Sequence, residues 1–397
     1  MVPLRATFGR LAALALTSAL LTSCKPAHRF WQRHTRAGRA EVAAQRAHAA
    51  RVQRGRVTYV RYCALCHRAD GLGYAADHAN ALANQQFLAV ASPAFLRSAI
   101  VDGRPGTPMS AWGRVHGGPL DDRTVDDLVV FLRSRARVPR VDVENVHVSG
   151  HPDDVRALWI ERCKNCHGAT GEGSTTATSL THPNFLHTVS DGYLRYTITH
   201  GRPGTPMQSF PALPAQTVDD LVALIRSMQH FPGPPPPPNY EPPPGLDHLV
   251  LNPTGGPPSF TLREGRFVSS ADVAQALHDG RRMVILDARA TSDWSRSHIA
   301  GALPFPFYDI QDMTGRLPHD GTWILAYCAC PHAASGHVVD ELRTRHFANT
   351  AVIDEGIGFW ESHGYPVAHA AIVGAPADAV VGAPPAVVAP SAVGPKP

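Results

Sequence analysis

Two copies of a five-residue motif, Cys63-Ala-Leu-Cys66-His67 and Cys163-Lys-Asn-Cys166-His167, constrain this chain more than any other feature. They lie 100 residues apart, and the likeness around them runs well beyond the cysteines. Phe87-Leu88 is followed at eight residues by Phe95-Leu96, and Phe185-Leu186 at the same interval by Tyr193-Leu194. Gly103-Arg-Pro-Gly-Thr-Pro-Met109 recurs as Gly201-Arg-Pro-Gly-Thr-Pro-Met207, and Thr124-Val-Asp-Asp-Leu-Val129 recurs as Thr217-Val-Asp-Asp-Leu-Val222. The chain therefore contains a duplicated unit of roughly 80–90 residues, and two copies imply tandem domains, because a solenoid needs at least three repeats.

The local pattern of each copy is helical. A helix is expected before each motif, over 51–62 and 153–162. Each copy closes on an amphipathic segment, with Thr124 or Thr217 placed as N-cap and the following aspartates favoured by the positive end of the helix. The middle is rich in loops, as expected where a large flat cofactor replaces part of a side-chain core.

The spacing explains which cofactor. Two thiols three positions apart on one turn can bond to the two vinyl groups along a porphyrin edge, and the histidine that follows then offers a ring nitrogen to the iron. Cys-x-x-Cys-His is accordingly the attachment signal for c-type haem. A structural zinc site needs about four ligands, and neither copy carries a second CxxC or a His pair nearby. Two covalently bound haem c groups are expected, on Cys63, Cys66 and His67 and on Cys163, Cys166 and His167. For the sixth iron ligand, Met109 follows His67 by 42 residues and Met207 follows His167 by 40, both in the same Gly/Pro-rich loop. A thioether there raises the reduction potential and closes the iron to O₂. His116 in the first copy and His182 or His200 in the second are the rival ligands.

These stretches resemble small class I cytochrome c domains, with CxxCH, a distal loop methionine and a C-terminal helix in that order. The order Pro-Met departs from the usual Met-Pro of that family. The resemblance implies mainly α domains, over 51–140 and 151–230, that exchange electrons with redox partner proteins.

Charge is distributed unevenly. The formal charge is +4, yet residues 25–56 hold nine Lys or Arg against one acid, Glu41, so a basic leader precedes a mildly acidic body. That is not the basic folded face a nucleic-acid partner requires. The apolar run Leu11 to Leu21 is shorter than the roughly 20 residues that span a bilayer and reads as a secretory signal. Its end, Leu21-Thr22-Ser23-Cys24, resembles a bacterial lipoprotein box, which implies removal of residues 1–23 and lipidation of Cys24. A basic segment, 24–50, would then lie beside the membrane on its periplasmic side, and Lys25 favours the outer membrane.

After a Pro-rich spacer over 231–258, the pattern alternates. Ser270 to His278 reads as a helix, Met283 to Asp287 as a buried strand and Thr322 to Tyr327 as a second strand. Ser335 to Arg345 is again helical, and Thr350 to Ile353 forms a third strand. Alternation of this kind predicts an α/β domain with a parallel sheet. Residues 260–370 resemble a rhodanese-like domain in Leu286-Asp-Ala-Arg289, Ser297-His-Ile-Ala-Gly-Ala302, Ala326-Tyr-Cys328, and Asp354-Glu-Gly-Ile-Gly-Phe-Trp360 running to Gly364-Tyr-Pro-Val367. The resemblance implies a reactive cysteine in the loop after a strand, stabilised as thiolate or persulfide by backbone N–H groups. The Tyr-Cys match selects Cys328, whereas counting back from Leu342 selects Cys330. Where the family carries an arginine five residues after the cysteine, this chain has Ala333 or Ser335, with His332 and His337 nearby. The tail 371–397, of Ala, Val and Pro, reads as disordered.

The sequence thus describes a membrane-anchored dihaem electron carrier with a sulfur-binding module. Two alternatives stay open. In one, Cys328 and Cys330 catalyse oxidation of a small sulfur species with the haems as acceptors; in the other, the last domain serves only for docking.

Overall fold

The computed structural model describes Trp31 and residues 34–73, 79–104, 107–174, 177–228, 238–245, 249–329 and 332–373. Cys24, Cys330, the expected signal peptide, residues 231–237 and 246–248 of the Pro-rich spacer and the tail beyond 373 lie outside these residues. The chain divides into two compact units, Met1–Arg54 and Gly55–Pro397. Helix α1 (Arg36–Tyr62) starts in the first unit, where its Ala- and Arg-rich residues are mostly exposed. It therefore begins a full four turns before the expected 51, as the high helix propensity of Ala and Arg allows. Among the described residues no helix is long and apolar enough to cross a membrane.

In the second unit the first copy continues through α2 (Ala64–His67), α3 (Gln85–Val90), α4 (Pro93–Val101) and α5 (Asp122–Ser134). The second copy comprises α6 (Arg156–Arg162), α7 (Lys164–His167), α8 (Pro183–Thr188), α9 (Asp191–His200) and α10 (Ala215–Ser227). The caps of α5 and α10 differ from expectation. Asp121 caps α5, accepting from the N–H of Thr124, and α10 opens after Pro214 with no side-chain cap. Both helices begin about one turn before the apolar pattern does, so each threonine sits inside the first turn. At Gly55, α1 meets the backbone of α5. A Cβ there would come within 2.1 Å of the Asp127 carbonyl oxygen, so only glycine permits this approach. One turn on, the Tyr59 ring lies 5.3 Å from Phe131.

The two copies dock through equivalent residues. The guanidinium of Arg104 lies 5.7 Å from the Phe185 ring, while that of Arg202 lies 5.6 Å from Phe87 and 5.4 Å from Tyr193. Phe95 and Tyr193 meet between them at 5.2 Å. The Asn84 amide donates to the Pro203 carbonyl at 2.9 Å, and Asn184 donates to the carbonyls of Asp102 and Gly103. Each copy's methionine loop is thus held against the other copy.

The C-terminal region is a three-layer α/β structure. Strands β1 (Phe267–Val268), β2 (Met283–Asp287), β4 (Leu303–Pro304), β5 (Trp323–Tyr327) and β6 (Thr350–Ile353) form a parallel sheet in the order β1-β6-β5-β2-β4. β3 (His298–Ile299) and β7 (Val367–Ala368) form a small antiparallel pair. Period-2 alternation sends Val284, Leu286, Ile324 and Ala326 to one face, beneath Val338, Val339 and Leu342 of α14 (Ala333–Thr344). Met283, Ile285, Leu325 and Tyr327 go to the other face, with Val273 of α11 (Ser270–His278) and Trp360 of α15 (Gly356–Ser362). Between them in sequence lie α12 (Thr291–Arg296) and α13 (Ile310–Met313). Burial on both faces is what a parallel sheet demands, and it explains the unbroken apolar runs of β2 and β5.

At the end of β2, fully buried Asp287 accepts from Arg289 Nη2 at 2.6 Å and from the Tyr327 hydroxyl at 2.7 Å. Arg289 also donates to the Ser297 carbonyl, and Tyr327 accepts from the N–H of Ile299. Burial opposes the Arg289 charge, but the Asp287 carboxylate outweighs it and holds the guanidinium well above its ordinary pKa. This network fastens β2, β5 and the β3 segment together.

Candidate functional site

Each CxxCH motif is one turn at the end of a helix. The N–H of Cys63 bonds to the Tyr59 carbonyl and that of His67 to the Cys63 carbonyl, both at 2.9 Å. Cys163 bonds to Trp159 and His167 to Cys163 at the same distance. The chain then doubles back. Gly73 N–H donates to the His67 carbonyl at 3.0 Å and Gly173 N–H to that of His167 at 2.8 Å, with φ of 70° and 91° that favour glycine. The ring four residues before the first cysteine clamps this turn in both copies: the Tyr59 hydroxyl donates to the Arg68 carbonyl at 2.8 Å, and Trp159 Nε1 donates to that of Ala169 at 3.1 Å.

The turn sets the state of each histidine. His67 Nδ1 lies 2.8 Å from the Asn80 carbonyl, and His167 Nδ1 lies 3.3 Å from that of Thr178. A carbonyl only accepts, so the proton sits on Nδ1 and Nε2 keeps a free lone pair for a metal, the arrangement that orients and strengthens a ligating imidazole. Burial lowers the pKa of both rings and favours the neutral, ligating form. Burial, with the neighbouring thiol second, pushes Cys63 up to about 12 and Cys163 up to about 11.

The two methionine loops are pinned by the same bonds. Arg104 N–H donates to the Met109 carbonyl at 2.7 Å, and Arg202 N–H to that of Met207 at 2.8 Å. The hydroxyls of Thr107 and Thr205 donate at 2.7 Å to the carbonyls of Arg104 and Arg202, and accept from the N–H of Met109 and Met207 at 3.2 Å. Such threonine turns fix a loop without regular structure. Burial lowers Arg104 to about 10, opposed by Tyr193 and Asp102.

In the second copy, Cys163, His167 and Met207 line one open cavity, walled by Trp159, Leu180, Ile198, Phe210, Leu221 and Ile225. A thiol, an imidazole and a thioether around an apolar slot, with the second thiol of the motif three residues on at Cys166, fit a covalently held porphyrin. Among the described residues no group of three or more His, Cys, Asp or Glu converges as a conventional metal cluster would. The rival ligands are engaged elsewhere. His116 Nε2 bonds to Asp102 at 3.0 Å, His182 Nδ1 accepts from Asn184 N–H at the start of α8, and exposed His200 stacks on Tyr196.

The cysteine of the C-terminal sheet is placed differently. Cys328 follows β5 directly, is 2 % exposed, and has its Sγ 3.2 Å from Ser335 Oγ. Its carbonyl accepts from Ile357 N–H. His332, at φ 82°, packs on Phe267 and lies 3.2 Å from Asp354. Ala333 opens α14, and Ser335 lies buried in its first turn.

Comparison with protein families agrees with this division. The model for cytochrome C oxidase, cbb3-type, subunit III matches residues 50–132 and 150–225, and that for the rhodanese-like domain matches 269–363. The chain joins a cytochrome c region to a rhodanese-like domain. No curated protein matches this cytochrome–rhodanese chain. Among solved structures it is similar to a rhodanese-like domain from Anabaena sp., with 25 % identity over 25 % of this chain and 76 % of that one and a TM-score of 0.24. A thiosulfate sulfurtransferase from Pseudomonas aeruginosa shares 21 % identity over 26 % of this chain and 20 % of its own, with a TM-score of 0.25. A reducing HAO-like protein complex of Kuenenia stuttgartiensis shares 20 % over 45 % and 96 %, with a TM-score of 0.31. The cytochrome c region implies covalently bound haem c and redox partner proteins.

Two parts of the cytochrome sites go beyond the sequence reading. The carbonyls of Asn80 and Thr178 belong to the backbone, which carries no residue signature. The threonines of the methionine loops do carry one, since Thr107 and Thr205 hold the same place in the repeated heptapeptide.

Proposed function

We propose that this protein is an exported dihaem cytochrome, anchored by lipid at Cys24 on the periplasmic side of a bacterial membrane, that passes single electrons between redox proteins. The observation that carries this reading is the double correspondence of the sites, each with a histidine set by a backbone carbonyl and a methionine loop pinned by the same threonine. Bound haem supplies reversible one-electron iron chemistry. Cys63 and Cys66, and Cys163 and Cys166, would attach it covalently; His67 and His167 would each offer an imidazole nitrogen to the iron, and Met109 and Met207 would offer thioethers that exclude small ligands. Carbon monoxide tests this directly. The reduced protein is expected to keep its visible spectrum under the gas, and a carbonyl spectrum at either site would reveal an open position and overturn the carrier reading.

The rhodanese-like domain serves in this reading as a sulfur-handling module rather than as a thiosulfate enzyme. Burial of Cys328 supports that restriction, as does Ala333 or Ser335, for Cys328 or Cys330 respectively, where the family carries an arginine. Export is tested by Cys24→Ala, which is expected to move the protein from the membrane fraction to the soluble one; retention in the membrane would remove the lipid anchor.

A further inference from the structure

The rhodanese-like domain touches the first cytochrome copy on both sides of its candidate haem site. On the side of the motif, Leu65, between the two cysteines, packs against the core that holds Val338 of α14. On the side of the methionine, the residues after Met109 are held directly. Ser110 Oγ donates to Asp293 Oδ2 at 2.5 Å, and Ser292 Oγ donates to the Ala111 carbonyl at 2.6 Å. All four residues are buried, and Asp293 is itself fixed by Arg296 at 2.9 Å. Around them Trp112 packs on Tyr62, Phe307 and Tyr308, and Arg61 pairs with Asp309. The second copy differs: Gln208 and Ser209, which follow Met207, are exposed.

We infer that Ser292 and Asp293 of the rhodanese-like domain are positioning residues for Met109. They fix the strap after it so that the thioether is presented at the first iron, which makes this domain a structural part of one haem centre and not of the other. A thioether is a weak neutral donor, and groups that orient a ligand govern how well it is held. The inference rests on the reading that Met109 and Met207 ligate iron.

The test uses the full haem-loaded chain with Ser292→Ala and Asp293→Ala combined. The sulfur-to-iron absorbance band is expected to fall to about half, and one of the two potentiometric waves is expected to move to lower potential while the other stays. Asp293→Asn, which keeps an acceptor, is expected to restore both. Ser110→Ala, which removes the same bond from the cytochrome side, is expected to reproduce the loss if the double variant folds poorly. Hydrogen exchange across 107–112 in the chain before haem attachment is expected to quicken in each disruptive variant. An unchanged band and two unchanged waves, in a preparation where Met109→Ala does halve the band, would overturn the positioning role. If Met109→Ala itself leaves the band intact, the ligand reading fails, and the positioning role falls with it.

Discussion

Serine at both Cys163 and Cys166 is expected to leave one covalently attached haem per chain where the unaltered protein carries two. The attachment chemistry needs both thiols of a motif on one turn, and the two motifs share no residue. The first site keeps Cys63, Cys66, His67 and its own threonine-pinned loop, so its haem should remain. The second loses its covalent hold while keeping an apolar slot, lined by groups that bury well only against a porphyrin. The double variant is therefore also expected to lose order in the second copy first. The haem-to-protein ratio from a pyridine haemochrome spectrum, with the intact mass, gives the count. Two haems in the variant would show that the second motif is not an attachment site, and none would show that the sites do not load independently.

Asp287→Ala is expected to be the most damaging single change in the rhodanese-like domain. Arg289 is 6 % exposed in its side chain and Asp287 is fully buried. Removal of one partner from such a pair costs about 3–5 kcal/mol, because the other charge stays desolvated without compensation. The Tyr327 hydroxyl loses its acceptor at the same time. Asp287→Asn keeps the shape and an acceptor but not the charge, so it is expected to fall between. Urea unfolding followed by tryptophan fluorescence measures both. A loss below ~1 kcal/mol, the range of an exposed ion pair, would show that water reaches this network.

How much of this was legible in the sequence depended on whether the signal was local. The CxxCH turns and the loop methionines could be read directly, because their geometry is set within a few residues and written twice. β2, β5 and β6 could be read from apolar runs, whereas β1, β3, β4 and β7 have two residues each and leave no pattern. The start of α5 at Asp122, capped by Asp121, was missed because a polar first turn carries no apolar period. Leu286-Asp-Ala-Arg289 could be recognised as a resemblance, but its ion pair and the tyrosine that completes it come only from the alignment of β2 with β5. The contacts of Ser110 and Ala111 with Ser292 and Asp293 left no trace at all, since a serine that will be buried against another domain looks like any other serine. Cys328 was rightly placed after a strand, and its burial followed from α14 covering that end of the sheet.

The seam between the two cytochrome copies carries a further consequence. Arg104 meets Phe185 and Arg202 meets Phe87, while Phe95 and Tyr193 face each other. In symmetry terms this is an isologous contact closed inside one polypeptide, the kind that two identical subunits make about a two-fold axis. Duplication has turned what would be a concentration-dependent dimer into an intramolecular one, which stays assembled at any dilution. Because each half uses its self-complementary patch on the other, the pair is closed, and that patch is not left open to a third copy.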